Sequence, residues 1–281
     1  MAQWSAQRRF VYGGGFILIL AFILTTVVYG LIYKTPTCSD GKQNGDETGV
    51  DCGGSCTLLC TNDALAPIVH WSKIFNVSGN VYTAVAYVEN QNINSKNAKA
   101  TYEFKIYDAN NKLLVKKVGQ TAIPKNKKFA IFEVGIILKD AKPKSADFAF
   151  TSFSDWEKDN TREPDISITN STLIASTTSP RIEGSVSNKS ATTIPSLELS
   201  VFVLDSKENA VAASRTFIET LRGHSTQDFV FTWPKPFNLG FEECNDVESL
   251  ATTTETMATM TTVTSVCVRQ PNVILVTYRA I

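Results

Sequence analysis

The sequence has no excess of either charge and almost no histidine, and both shortages narrow the possible functions. Lysine plus arginine and aspartate plus glutamate each number 27, so the formal net charge is zero. Nucleic-acid-binding proteins usually carry a basic excess on one face, so we expect no nucleic acid partner. The two histidines, His70 and His224, each stand alone in the sequence. We interpret both as structural or exposed.

Sequence signatures of catalysis are also missing. A catalytic triad requires a base within hydrogen-bond reach of a nucleophile, and an acid that orients the base. The sequence contains no nucleophile elbow, phosphate-binding loop or metalloprotease signature. We therefore predict a protein that is not an enzyme. The alternative is an enzyme whose site forms between two domains near residues 155–165.

Only one long apolar run is present, and it lies near the start of the chain. Residues 10–33 carry no charge, and a helix of that length spans about 36 Å, enough for a hydrocarbon core of about 30 Å. Arg8 and Arg9 precede the run, with no acid before them, which favours a cytoplasmic N-terminus. A cleaved signal peptide would have a shorter apolar core and a small-residue cleavage site. We predict one uncleaved span of the cell membrane's lipid bilayer.

All six cysteines follow the apolar run, and four of them lie within residues 38–60. An even count in this position favours disulfides in an oxidising compartment. A short segment that has no room for a hydrophobic core is usually crosslinked, so residues 34–63 are predicted to form a disulfide-rich stalk. The six are Cys38, Cys52, Cys56, Cys60, Cys244 and Cys267.

Acidic and amide side chains alternate with glycine between the first two cysteines. Several hard oxygens around one ion are what Ca²⁺ requires, although the order of these residues is not that of an EF-hand loop. One interpretation is therefore a calcium site. The others are a disulfide-pinned turn with solvated acids, and zinc bound by the four thiolates. The calcium ligands would be Asp40, Asn44, Asp46, Glu47 and Asp51.

The segment Cys38–Cys56 resembles a short motif, C-x-D-G-x-x-N-G-x-E-T-x-x-D-C-G-G-x-C, that recurs in bacterial and some eukaryotic cell-surface proteins. The resemblance implies an exposed, disulfide-rich stalk and no catalytic activity. Four cysteines allow three pairings, and we expect Cys38 to pair with Cys52 and Cys56 with Cys60. Cys244 and Cys267 flank a threonine-rich stretch, and we expect them to close it as a loop.

Short runs of alternating apolar residues, separated by Asn, Ser, Gly and Pro, follow the cysteine segment. Such period-two alternation is typical of strands. We predict strands at residues 82–88, 100–107, 112–118, 128–134 and 145–151, a turn at Asn110-Asn111, and a final buried strand at residues 272–278.

The strand pattern then repeats, which indicates tandem copies of one domain. Three pairs of similar segments, called echoes here, carry the repeat: two pairs are separated by 97 residues and the first pair by 98. Copies of this length suit seven-stranded sandwiches. The echoes are residues 88–90 with 186–188, 104–108 with 201–205, and 129–132 with 226–229.

The run Phe104-Lys-Ile-Tyr-Asp108 resembles the FxLYD type of immunoglobulin-like domain. The resemblance implies extracytoplasmic sandwiches in which this run is a central strand and the aspartate starts the next turn. Phe104 and Ile106 would then share one face. The second copy departs from the pattern, with Val201 and Leu204 in place of the Phe and the Tyr.

Charged and aromatic residues near the domain ends are interpreted as exposed or structural. We expect the lysines at the start of the predicted strand 128–134 and just before it to be exposed and to protect sheet edges. The acids of the polar linker at residues 155–164 are expected to be solvated, and three tryptophans are expected to pack at domain junctions. These residues are Lys125, Lys127, Lys128, Asp155, Glu157, Asp159, Trp71, Trp156 and Trp233.

The predicted fold is mainly β, with a transmembrane helix, a short disulfide-rich segment and two tandem immunoglobulin-like sandwiches. The predicted function is non-enzymatic: an anchored extracytoplasmic protein that presents these domains to a protein or glycan. The alternatives are a structural subunit of a cell-envelope or secretion assembly, and a calcium-dependent adhesin. The predicted parts are a cytoplasmic N-terminus at 1–9, the membrane helix at 10–33, the stalk at 34–63, sandwiches at 64–157 and 158–240, and a threonine-rich loop with a strand at 241–281.

Overall fold

The computed structural model describes residues 2–32, 37–60, 62–174, 179–205, 207–236 and 273–280, which form two compact units divided after Cys60. The first unit begins with helix α1, Ala2–Ile32. Within it, Phe10–Gly30 has a mean hydropathy of 2.3 over 21 residues, and its apolar side chains are exposed. A helix of this length and composition could cross a bilayer as an anchor or serve as a signal sequence.

The second unit is mainly antiparallel β-sheet, as predicted, and its first half contains two sheets. One sheet has the order β1-β2-β5, and the other has β4-β3-β6, with β7 also paired to β3. The strands are β1 Ile68–Ser78, β2 Val81–Asn90, β3 Ser95–Tyr107, β4 Leu113–Ile123, β5 Lys127–Ile137, β6 Ser145–Phe153 and β7 Trp156–Lys158. We call these two sheets the first sandwich.

The second half repeats this arrangement with two three-stranded sheets, in the orders β12-β9-β8 and β11-β10-β13. Leu199, Val201 and Phe231 are buried in one core shared by both sheets. The strands are β8 Ile166–Ile174, β9 Arg181–Asn188, β10 Leu197–Leu204, β11 Ala210–Ile218, β12 Ser225–Thr232 and β13 Val273–Ala280. We call these sheets the second sandwich. The exact domain boundaries stay a prediction.

Successive side chains of β3 alternate between the buried core and the partly exposed face, as expected. Phe104 and Ile106 are fully buried, whereas Lys105 and Tyr107 on the opposite face are partly exposed. Successive side chains of a strand point to opposite faces, so the apolar pair enters the core and the polar face meets solvent. Lys105 there forms an ion pair with Glu103 at 2.7 Å.

Two asparagines occupy equivalent positions in the two sandwiches and make equivalent hydrogen bonds. Asn90 Nδ2 donates to the carbonyls of Ser95 and Pro124, both at 2.8 Å. Asn188 Nδ2 donates to the carbonyls of Thr192 at 2.8 Å and Leu221 at 3.3 Å. Both asparagines are at most 1% exposed. Each therefore joins two loops inside its sandwich by supplying donors that the buried carbonyls need.

The turns after β3 and β10 also match. The carboxylate of Asp108 accepts backbone N–H bonds at 2.8 and 2.9 Å, and Asp205 does the same at 2.9 and 2.8 Å. Asn111 and Glu208 hold the left-handed conformation at φ 60° and 61°. The predicted turn at Asn110-Asn111 is confirmed.

One predicted echo was wrong by a single residue. Strand register places Lys127 opposite Asn90 and Ser225 opposite Asn188, an offset of 98. Phe132 therefore does not correspond to Phe229. Phe132 packs on the outer face of its sheet, whereas Phe229 enters the core of the second sandwich. A slip of one residue moves a side chain to the opposite face of a strand.

The two sandwiches pack on each other through Phe202 of β10. Its ring lies 5.1 Å from Trp71 and 5.2 Å from Tyr87, edge to face in both cases. The apolar patch between the sandwiches also includes Val85 and Phe132. Because Leu199 and Val201 fill the opposite face, β10 is buried on both sides. The prediction that Trp71 packs at a domain junction is confirmed.

Lys125 was expected to be exposed and Asp159 to be solvated, and both expectations were wrong. Lys125 is 7% exposed, and its ammonium donates to the Asp159 carboxylate at 3.3 Å and to the carbonyl of Thr161. Burial alone would raise the pKa of Asp159, but hydrogen bonds from Thr161 and the nearby Lys125 lower it well below its ordinary value. This pair ties the linker to the first sandwich.

Candidate functional site

The cysteine segment is closed by disulfides Cys38–Cys56 and Cys52–Cys60, with Cα–Cα distances of 5.6 and 5.0 Å. The expected pairing was therefore wrong. Gly53 and Gly54 adopt φ values of 80° and 50°, conformations that glycine reaches at low cost. They turn the chain back after Cys52, which brings Cys56 beside Cys38. Cys244 and Cys267 lie outside the described residues.

The five predicted calcium ligands lie in this segment, where the four carboxylates hold the turns and the buried Asn44 Oδ1 has no hydrogen-bond partner among the described residues. Asp51 accepts backbone N–H bonds from Asp40 and Gly41, both at 2.9 Å. The amide of Asn44 donates to Asp40 at 3.0 Å and lowers the pKa of that carboxyl. The other two ligands do the same: Asp46 accepts from Ser55 at 2.8 Å, and Glu47 accepts from the Asn44 backbone at 3.1 Å.

No three of the four carboxylates converge on one point in the described part of the chain. Among the described residues, one group of three possible ligand atoms lies within 4.8 Å, formed by Cys38, Glu47 and Cys56. Its two sulfurs are bonded to each other, so they cannot bind a metal as thiolates. The calcium interpretation stays a prediction, and the disulfide-pinned turn is the arrangement that the geometry favours.

We expect a reductant, and not a chelator, to release this segment. Each disulfide contributes about 2–4 kcal/mol by restricting the unfolded chain. Hydrogen exchange of the Thr48 and Gly49 amides, which donate to the Cys52 carbonyl at 3.1 and 3.2 Å, should accelerate at least tenfold after reduction. EDTA should leave their exchange rates unchanged. Acceleration by EDTA alone would instead support the calcium site.

The histidines and the linker do not form an acid–base site in the described part of the chain. His70 Nε2 lies 2.8 Å from the Glu89 carboxylate on an exposed strand, and His224 occupies a turn with φ 52°. At the 155–165 junction a cavity of about 630 Å³ contains Lys125 and Asp159. There the Asp159 carboxylate accepts hydrogen bonds from Lys125 at 3.3 Å and from the Thr161 hydroxyl at 2.5 Å.

An open groove lies between the two sandwiches of the second unit. Its volume is about 590 Å³, which is in the range of ligand-binding sites. The outer face of the β1-β2-β5 sheet forms one wall, and β11 with residues 232–236 forms the other. The apolar lining residues are Phe75, Val77, Phe132, Val134, Phe217 and Trp233.

Strand β11 brings into this groove a backbone edge that no described strand pairs, although its Ala210 and Ala213 carbonyls accept side-chain donors from Lys73 and Trp233. Among the described strands its one neighbour is β10. The Ala213 carbonyl points away from β10, because it accepts a bond from Trp233 Nε1 at 3.3 Å. Backbone groups alternate in an antiparallel ladder, and this ladder is regular from Ala212 to Ile218, so those of Arg215 and Phe217 point to the same edge. The edge can hydrogen-bond an additional extended chain.

Apolar side chains remain exposed beside this edge. Val134 is 54% exposed and Phe217 is 51% exposed, and both line the groove. Many other edge strands in proteins are protected by lysine, as β4 is here by Lys116 and Lys117. Strand β11 has no lysine. The groove therefore combines the two properties that strand-adding partners use, a backbone edge and apolar side-chain contacts.

Comparisons with known proteins give little beyond this geometry. No family model matches the chain, and no curated protein matches it. A similarity search among solved structures includes a crystal structure of red sea bream transglutaminase, with 10% sequence identity and a TM-score of 0.22. The match covers 60% of this chain and 27% of the transglutaminase chain. A similarity of this size carries no conclusion about activity.

The sequence contains one sign of the groove. Lys105, on the outer face of β3, corresponds to Phe202 at the offset of 97 residues. The second copy thus has an apolar residue where the first has an exposed charge. A strand that is apolar on both faces is usually covered on both sides. This difference between the copies indicates an interface, and the groove lies beside it.

Proposed function

We propose that this chain is a single-pass membrane protein, not an enzyme, whose two immunoglobulin-like sandwiches lie outside the cytoplasm and bind an extended segment of a partner protein. The partner segment adds to the edge of β11 in the groove between the sandwiches. The observation that supports this most is the edge of β11, which no described strand pairs, beside exposed Val134 and Phe217.

The anchor part of the proposal rests on α1 and on the arginines before its apolar stretch. The 21 apolar residues Phe10–Gly30 span about 31 Å as a helix, and Arg8 and Arg9 favour a cytoplasmic start. Two disulfides directly after the helix suit an oxidising compartment. Both observations support an extracytoplasmic position for everything that follows.

A folded two-sandwich body suits strand addition, because the partner then loses the conformational freedom and the receptor does not. Phe202 packing on Trp71 and Tyr87 holds the two walls of the groove together. Main-chain hydrogen bonds to β11 would supply affinity, and the apolar wall would select alternate side chains of the partner. The site therefore needs no catalytic group.

A photocrosslinker placed at Val134 tests the proposal in cells that carry the full-length chain. We expect it to capture one partner, with the crosslink mapping to a single extended segment. The matched control is the same crosslinker at Val118, which is 60% exposed on β4 of the first sandwich. It should not capture that segment. Phe217→Asn, which replaces an exposed apolar lining residue with a polar one, should reduce the Val134 crosslink at least tenfold.

Orientation is tested in the same cells with a tag at each end of the chain. External protease should remove the C-terminal tag and leave the N-terminal tag intact. Protection of the second unit in intact cells would overturn the proposed compartment. Equal crosslinking from Val134 and Val118, or crosslinks scattered over many partners, would overturn the groove as the binding site. A partner that is itself an integral subunit of an envelope assembly would support the structural-subunit alternative.

A further inference from the structure

The groove holds an arginine whose guanidinium has no hydrogen-bond partner in the described part of the chain. Arg215 extends from β11, and its side chain is 28% exposed. The guanidinium carbon lies 5.4 Å from the ring centre of Phe132 and 5.4 Å from that of Phe217. Two aromatic rings thus fix the position of the cation without using its N–H donors.

The nearest carboxylate leaves most of this positive charge uncompensated. Glu198 Oε2 lies 3.9 Å from Arg215 Nη1, but 2.9 Å from Nη2 of Arg279. One buried carboxylate therefore faces two guanidiniums and pairs closely with Arg279. A guanidinium has five N–H donors arranged to bind a carboxylate through two parallel bonds, and those of Arg215 remain available at the groove.

The other charge in the groove has the same sign. Lys235 lines the groove and donates to Asn76 at 3.1 Å. The described lining residues include two cations and no carboxylate. The whole chain has zero net charge, so this local excess is not a general property of the protein. An apolar groove with only positive charges is complementary to an apolar ligand that carries a negative group.

We infer that Arg215 binds a carboxylate of the partner segment, and that this segment is an extended peptide with an acidic group between apolar side chains. The inference rests on the proposed function, since it assigns the chemistry of the same groove. A strand added to β11 would place alternate side chains on the face of Arg215. The acid should lie opposite Arg215, and the residue two positions away should be apolar because it faces Phe217.

The test uses a positional-scanning library of nine-residue peptides against the full chain in detergent micelles, with each peptide made amidated and with a free C-terminal carboxylate. We expect selection of Asp or Glu with an apolar residue two positions away. In a selected peptide, replacing that acid with its amide should weaken binding at least tenfold. Arg215→Gln should bind the acid and amide peptides equally, which is the expected sign of coupling in a double-mutant cycle.

Two further variants test whether the preference for the acidic peptide comes from Arg215. Lys235→Gln should retain the tenfold preference for the acid, and its melting temperature provides a folding reference. Arg215→Lys keeps the charge but not the paired donors, so it should show an intermediate preference even if Arg215→Gln is unstable. A preference lost in Lys235→Gln and kept in Arg215→Gln would overturn the assignment to Arg215.

The outcomes separate this inference from the proposed function. Selection of apolar peptides with no acid would overturn the inference and leave strand binding in the groove intact. Selection of no peptide at all would overturn the proposed function. Selection only of peptides with a free C-terminus would support carboxylate binding and identify the carboxylate as a chain end, and selection from the amidated set would identify it as a side chain.

Discussion

Replacing Glu198 with alanine should lower the free energy of unfolding of the second unit by about 3–5 kcal/mol, the usual cost of removing one partner of a buried ion pair. Glu198 is 1% exposed, and its carboxylate accepts from Arg279 at 2.9 Å. The variant would leave this arginine and Arg215 facing each other without a counter-charge. Urea unfolding of the full chain in detergent, monitored by tryptophan fluorescence, measures this loss in the free energy of unfolding.

The double variant Glu198→Leu with Arg279→Leu is the matched control. Replacing both members of a buried pair with apolar residues is often neutral, so it should recover most of the lost stability. Arg279 also donates to Thr121 at 2.9 Å, and loss of that bond should leave a deficit of about 1 kcal/mol. A Glu198→Ala variant as stable as the wild type would contradict the ion pair as described.

Asn90→Ala should lower the free energy of unfolding by about 2–4 kcal/mol, because it removes both donors that the Ser95 and Pro124 carbonyls use. Each buried polar group left without a partner costs about 1–3 kcal/mol. The equivalent variant Asn188→Ala should cost a similar amount, since its side chain bridges loops of the second sandwich in the same way. Chemical denaturation of the full chain gives both values.

Asn110→Ala is the control, because that side chain is exposed in a turn. Its effect should stay within about 0.5 kcal/mol. Hydrogen exchange adds a second readout: Asn90→Ala should deprotect the Asn126 amide, which donates to the Asn92 carbonyl at 2.9 Å. If Asn90→Ala and Asn110→Ala had equal effects, the buried asparagine could not be the feature that joins these loops.

The sequence predicted the mainly β fold well, because alternation of apolar residues is a local property. Strands β2 to β6 and β13 lie where the runs at residues 82–151 and 272–278 placed them. Strand β1 was not predicted. Its partly buried aromatic residues, Trp71 and Phe75, pack toward the second sandwich. A strand whose partner surface is more than 100 residues away in sequence has no local pattern that reveals it.

Pairings between distant residues were the part that the sequence could not supply. From the sequence alone, Lys125 was expected to be an exposed charge, because its partner Asp159 is 34 residues away. The disulfide pairing depended on how two adjacent glycines turn the chain. The groove was missed for a similar reason, because Arg215 and Phe132 come from different sandwiches. Composition and periodicity describe each strand by itself and contain no information on which faces will meet.

The double burial of β10 means that neither half of the second unit should be handled as an independent fragment. Cleavage in the linker would expose Phe202 on one piece and Trp71 with Tyr87 on the other, where the three rings now shield one another from water. Each piece would then expose an apolar surface and would tend to self-associate. The two halves are similar in arrangement, and Phe202, at the position where the first half has Lys105, makes each depend on the other.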